Sequence, residues 1–400
     1  MNEGVKWIHR DRKENGTDRI ETFSPEKAAP IRRYHESFPE YKMTPLAELK
    51  NFASENGVGN IYVKDESYRF GLNAFKVLGG SYCLGSYIAD RLGIARDTLT
   101  YEKITGDDAD LKPGEITFVT ATDGNHGRGI AWTANRLKQG CVVYMPHGSA
   151  AERLNNIKAQ GAEASITDMN YDDTVRHACE MSKKNGWVLV QDTAWEGYED
   201  IPTRIMQGYL TMADEAVEQL NGVKPTHIFL QAGVGAMSGA LTAYFASLYK
   251  KERPVITIVE PDQADCIYQS AKANDGKPHA VTGDLHTIMA GLACGEPCTI
   301  GWEILRDYVD NYISMPDYVA AKGMRVLGNP LKGDDRVISG ESGASTFGFV
   351  AEVLQNPELS ELKETLQLDE NSVVLCFSTE GDTDKANYRR IVWDGLYPSF

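Results

Sequence analysis

In the stretch RFGLNAFKVLGG (69–80), Lys76 stands between Phe75 and the pair Val77-Leu78, just after the small turn Gly71-Leu72-Asn73. A lysine so placed either snorkels along apolar surface or loses hydration at its ammonium. Lost hydration favours the neutral amine, the form that attacks a carbonyl and that a Schiff-base lysine needs. Four other stretches carry groups that would serve such an amine. In LQAGVGAMSGAL (230–241) an apolar run ends in a glycine turn and a helix opens. Gly233 and Gly235 let backbone amides approach a ligand, and the helix N-terminus behind Val234, Ala236 and Met237 favours phosphate. The spacing departs from G-x-G-x-x-G, which disfavours a nicotinamide dinucleotide. In TATDGNHGRG (120–129), Thr122, Asp123, Asn125 and His126 crowd one turn between a strand and a helix. Asp123 or Asn125 alone also suits an ordinary N-cap, but four polar groups exceed what a cap needs. CFSTEGDTD (376–384) places Ser378 and Thr379 at a strand end, where a hydroxyl can meet a ring nitrogen or cap a turn. Asp192 in QDTAWEGY (191–198) is an acid at another strand end, or a cap before Thr193.

The elements that must hold these groups alternate. ITFVTAT (116–122), CVVYMP (141–146), EASITD (163–168) and WVLVQDT (187–193) read as short buried strands, enough for one small sheet. NIYVKDE (60–66), HIFLQAG (227–233), VITIVEP (255–261) and VVLCFST (373–379) read as strands of a second. Helix-length segments between apolar runs mean crossover connections and parallel pairing. After Pro202, Met206, Leu210, Ala213, Val217 and Leu220 form one helical stripe. The pattern gives a small inserted domain, 81–215, inside a larger one built from 1–80 and 216–400. The first 40 residues, rich in charge and proline, read as an arm over the surface.

Composition narrows the partners. Asp and Glu outnumber Lys and Arg, 57 to 41, and the resulting charge of −16 repels nucleic acid and anionic membrane. No apolar run approaches a membrane span, and MNEGVKWIHRDRKENG lacks the apolar core of a signal peptide, so a cytoplasmic protein is expected. Seven scattered cysteines make no disulfide framework and no metal-ligand set, so no metal is expected. The spacing leaves a disulfide between Cys266 and Cys294 or Cys298 open.

Each of the four loops is unspecific alone; together they describe a pyridoxal 5'-phosphate site. The motifs NAFKVLGGSY, TDGNHGRG, QDTAWEGYEDIP and QAGVGAMSG resemble those of the fold type II, tryptophan-synthase-beta-like, class of pyridoxal phosphate enzymes. Within that class the chain resembles the diaminopropionate ammonia-lyases, from YKMTPLAEL to STEGDTDKANYRRIVW. The resemblance implies two α/β domains with parallel or mixed sheets, an active site in the cleft between them, and a homodimer. It makes Lys76 the Schiff-base lysine and Gly233 through Met237 the phosphate loop. Asn125 falls at the phenolic oxygen of the cofactor and Ser378 at its ring nitrogen. The substrate, a small amino acid, would meet Thr122, Asp123, His126 and Asp192, with Lys76, Asp123 and Asp192 catalytic. Dehydratases of this fold carry serine where Asp123 stands. Two carboxylates suit a substrate with a second ammonium, which favours α,β-elimination of D- and L-2,3-diaminopropionate to pyruvate and two ammonia. The alternatives are a threonine or serine dehydratase, or a cysteine-synthase-like β-replacement enzyme, whose thiolate Asp123 would repel. A non-catalytic carrier of the cofactor would have lost the base positions, and they are present.

Overall fold

Residues 4–13, 16–122 and 124–399 are described by a computed structural model. The strands in chain order are β1 (Lys6–His9), β2 (Leu46–Glu48), β3 (Asn60–Asp65), β4 (Thr117–Ala121), β5 (Gly140–Met145) and β6 (Glu163–Ile166). They continue with β7 (Val188–Leu189), β8 (His227–Gln231), β9 (Val255–Pro261), β10 (Asn311–Met315) and β11 (Val373–Ser378). The chain divides into two units: Met1–Pro25, Met43–Ala74 and Met212–Phe400 form the first, and Glu26–Lys42 with Phe75–Thr211 the second.

The first unit holds a sheet in the order β1-β10-β9-β8-β11-β3-β2. Its inner pairings are parallel, while β1 on β10 and β2 on β3 are antiparallel edges. The four strands expected from sequence are the contiguous run β9-β8-β11-β3. β8 and β9 bury nearly every side chain, as a strand covered on both faces does. Phe229, Val259, Ile313 and Val374 pack with Phe347, Phe349 and Val350 of the helix Glu341–Gln355. Each such fully buried side chain contributes roughly 1.5–3 kcal/mol.

The N-terminal residues do not form a surface arm. β1 closes one edge of the sheet, Arg10 donates to Ala271 O at 2.6 Å, and Arg12 bonds the Asp310 carboxylate at 3.1 Å. Charges that read as solvated are thus paired across the fold. Residues 26–42 and 75–80, read from sequence as part of the large domain, belong to the second unit. The Tyr34 hydroxyl donates to Ser81 O at 3.1 Å, and His35 bonds Thr211 and Leu78 O at 2.7 and 3.1 Å.

The second unit is built on the parallel sheet β6-β5-β4-β7. The helix Lys76–Leu92 buries Val77, Leu78, Leu84 and Ile88 within this unit. It crosses the helix Asp200–Gly208 so closely that a Cβ on Gly208 would lie 2.3 Å from Leu78 O. The single helix expected after Pro202 is two, Asp200–Gly208 and Leu210–Gln219. Met206, Leu210, Ala213 and Leu220 are buried as the stripe requires, and Val217 is half-buried.

Candidate active site

Lys76 is the first residue of its helix, and the chain reaches it through a left-handed turn at Gly71 (φ 70) and Asn73 (φ 58). That turn is pinned: Gly381 N donates to Asn73 O, and Asn73 Nδ2 donates to Asp382, both at 3.1 Å. Phe75, Val77 and Leu78 are buried as expected. The amine itself is not in a purely apolar setting. Lys76 Nζ lies 2.5 Å from Asp192 Oδ2, with 23% of the lysine side chain and 13% of the aspartate exposed. Burial pushes the Asp192 carboxyl up, but the Lys76 ammonium and His126 outweigh it and hold the group well below the usual carboxylate range. At neutral pH the second unit therefore presents an ionised carboxylate against a primary amine.

His126 donates from Nε2 to Val190 O at 2.9 Å, which directs Nδ1 to within 3.8 Å of Asp192 Oδ2. That carbonyl, an obligate acceptor, requires a proton on Nε2. Thr122 is a local cap: its Oγ1 accepts the amides of Gly124 and Gly127 at 3.0 and 3.3 Å, at the start of the helix Asn125–Arg136. Asn125 opens that helix and is half-buried. Asp123, the second expected acid, lies outside the described residues. Lys76, Asp192 and His126 thus come together, with Thr122 just before the helix whose first two residues are Asn125 and His126.

The first unit holds the other expected groups. Gly235 takes a left-handed conformation (φ 87) that ends the turn after β8 and caps the helix Ala236–Tyr249. The loop's carbonyls are occupied, since Cys266 Sγ bonds Gly233 O at 3.3 Å and Cys298 N donates to Val234 O at 2.7 Å. Among the described residues, no hydrogen bond is donated by the amides of Gly233, Val234 or Gly235. Ala236 and Met237 form the first helical turn, and behind them the fully buried Ser238 hydroxyl has no hydrogen-bond partner among the described residues. No cysteine is in a disulfide, so the pairing left open for Cys266 is not formed.

Ser378 closes β11, fully buried, and donates to Ser339 Oγ at 2.7 Å. Gln231, the last residue of β8, donates from Nε2 to Phe377 O and Thr379 Oγ1 at 3.0 and 2.9 Å, which locks the ends of β8 and β11 in register. Sequence reasoning missed Gln231 and Ser339. A glutamine as the last residue of an apolar strand is a usable signal; Ser339 has none, because only the fold brings residues 339 and 378 together.

These groups fit pyridoxal phosphate: an amine beside a carboxylate, amides and a buried unpartnered hydroxyl at a helix N-terminus for phosphate, and a hydroxyl at a strand end. The model of the family described as pyridoxal-phosphate dependent enzyme matches residues 38–376. The chain is 52% identical over 366 residues to the diaminopropionate ammonia-lyase of Salmonella typhimurium, covering 90% of this chain and 91% of that one. To the enzyme of the same description from Escherichia coli it is 52% identical over 377 residues, 94% and 93% of the two chains. The crystal structure of holo diaminopropionate ammonia-lyase from Escherichia coli matches with a TM-score of 0.92 at 48% identity, covering 99% of this chain and 98% of that one. The structure of that enzyme in complex with D-serine matches with a TM-score of 0.91. The chain belongs to the pyridoxal-phosphate dependent enzymes, with a fold type II architecture.

Proposed function

We propose that this protein is a diaminopropionate ammonia-lyase, converting 2,3-diaminopropionate and water to pyruvate and two ammonia. The observation that carries the reading is the ionised Asp192 carboxylate 2.5 Å from Lys76, in a chain 52% identical to enzymes of that activity. Pyridoxal phosphate, when bound, supplies an electron sink that acidifies the substrate's α C–H bond. Lys76 holds the cofactor covalently, and the amides from Gly233 to Met237 take its phosphate. By the resemblance, Asn125 would meet its phenolic oxygen and Ser378 its ring nitrogen. A neutral serine hydroxyl, unlike a carboxylate, would supply no negative charge to a ring nitrogen held there.

The substrate's second ammonium finds the charge complement in Asp192 that a dehydratase substrate, with a hydroxyl, has no use for. Once its amine is released, Lys76 Nζ accepts the α proton of the L-isomer. The D-isomer presents that proton to the opposite face, and Asp123 is the base there, with Asp192 on the distal ammonium. Thr122 and His126 line the same loop and shape the substrate's surroundings. The similarity to an Escherichia coli enzyme captured with D-serine supports access for a D-amino acid. The reading extends, by resemblance, to a cytoplasmic homodimer; sedimentation of the pure protein as a monomer counts against that extension. Ammonia and pyruvate measured from one sample of diaminopropionate should appear in a ratio of about two to one. A one-to-one ratio contradicts the proposal.

A further inference from the structure

We propose that Gln191 and Tyr198 are positioning residues that hold Asp192 against Lys76. The proposal rests on the reading of Asp192 as a carboxylate that takes part in substrate binding. WVLVQDT reads as a full strand, yet β7 stops at Leu189. The cause lies in the next three residues. Val190 N still pairs with Val119 O at 2.9 Å, but Val190 O is taken by His126 Nε2 at 2.9 Å. Gln191 N then donates to the Tyr198 hydroxyl at 2.9 Å, and that hydroxyl donates to Leu189 O at 2.9 Å. One phenol therefore staples the backbone on both sides of Val190. Trp195 stacks on Tyr198 with centroids 4.3 Å apart, and the two residues bridge to close the loop that begins at Asp192.

The Gln191 side chain replaces the missing strand. Fully buried, its Oε1 accepts Ala121 N and the Thr120 hydroxyl, each at 3.2 Å. Its Nε2 donates to Ala121 O and to the Tyr171 hydroxyl, each at 3.0 Å. Both backbone groups of the last residue of β4 are thus satisfied by a carboxamide instead of a neighbouring main chain. A continuing strand would meet the same need with its own amides. Substituting a side chain lets the backbone leave the sheet at Asp192, whose carboxylate reaches Lys76. The same amide ties that departure to Ala121, the residue before Thr122, so the two loops cannot shift independently.

A double-mutant cycle on the holoenzyme tests this. Gln191→Met, Tyr198→Phe and Asp192→Asn, with each pairwise combination involving Asp192, are compared in kcat and KM for 2,3-diaminopropionate. Affinity for pyridoxal phosphate by equilibrium dialysis and for D-serine by calorimetry are measured beside turnover. Each positioning variant should lose about tenfold in kcat/KM, chiefly through KM, as expected for a broken buried hydrogen bond. Neither should lose more than about twofold further when combined with Asp192→Asn, because the effect runs through that carboxylate. Cofactor affinity should stay within about threefold. Losses that multiply in the Asp192→Asn background overturn the proposal, as does a variant that lowers melting temperature and leaves kcat/KM intact. If Asp192→Asn alone leaves kcat/KM unchanged, the role of Asp192 and the proposal fall together. A loss in Asp192→Asn with a multiplicative cycle removes only the positioning. Should Gln191→Met fail to fold, Tyr198→Phe, which keeps the ring, completes the cycle.

Discussion

Asp192→Asn removes one negative charge and keeps the shape of the side chain. In the native protein that carboxylate is ionised, 13% exposed and 2.5 Å from Lys76 Nζ, so solvent screens it little. Under the proposed role, it would make a charge-assisted hydrogen bond to the substrate ammonium worth about 1.5–3 kcal/mol. At about 1.4 kcal/mol per factor of ten, the loss is roughly 10- to 100-fold in kcat/KM for diaminopropionate. D-serine has no β-ammonium. Whatever the substitution does to Lys76 acts on both substrates and cancels in their ratio. The assay is pyruvate formation coupled to lactate dehydrogenase for diaminopropionate, with D-serine turnover or binding measured on the same preparation. The ratio of the two should fall by at least about tenfold. An unchanged ratio means that Asp192 does not touch the distal ammonium, and its role shrinks to holding Lys76.

Lys76→Ala should abolish the visible absorbance of bound cofactor and nearly all turnover; a borohydride-fixed adduct mapped to another lysine refutes the assignment. Asp123→Asn should lower turnover of D-diaminopropionate by about 10²- to 10⁴-fold, the usual cost of a lost general base, with a smaller loss for the L-isomer. Equal losses reduce Asp123 to an electrostatic contact. In the first unit Lys64, Arg69 and Glu215 are fully buried, with Arg69 Nη1 and Lys64 Nζ at 2.7 and 2.6 Å from Glu215. Glu215→Gln leaves these cations short of an anion and should destabilise by about 3–5 kcal/mol in urea unfolding. Burial pushes the Glu215 carboxyl up, but Arg69 and Lys64 prevail and bring it down to about 2. Its contribution is therefore complete above the ordinary glutamate range and is lost as pH falls toward about 2. Urea midpoints should show a steeper acid decline for the native protein than for Glu215→Gln; parallel curves refute the coupling.

Fully buried apolar runs such as HIFLQ and VITIVEP were legible from sequence, and so were β6 and β7, although β6 is mostly exposed and β7 half-buried. β1, β2 and β10 were not. β1 and β2 are short antiparallel edges whose pairing depends on a partner distant in sequence. β10, NYISM, mixes polar and apolar residues: Asn311 is buried on hydrogen bonds to His9 and Thr257, and Ser314 is buried in the same strand. The buried setting of Lys76 was legible because its flanking residues are apolar, but its ion pair was not, since Asp192 lies 116 positions away. Thr122 read as a binding group, and the structure gives its hydroxyl to two amides of its own loop. Gln191 lies within QDTAWEGYEDIP, yet the bonds of its carboxamide to Thr120 and Ala121 follow from strand order, which local pattern does not encode.

The most direct measurement offers the purified holoenzyme D- and L-2,3-diaminopropionate, L-serine, L-threonine, and O-acetylserine with sulfide, and follows pyruvate, 2-oxobutyrate and cysteine together. Both diaminopropionate isomers should be the preferred substrates by kcat/KM, with pyruvate as product and no cysteine formed. Strong turnover of threonine to 2-oxobutyrate, with none of diaminopropionate, contradicts the account.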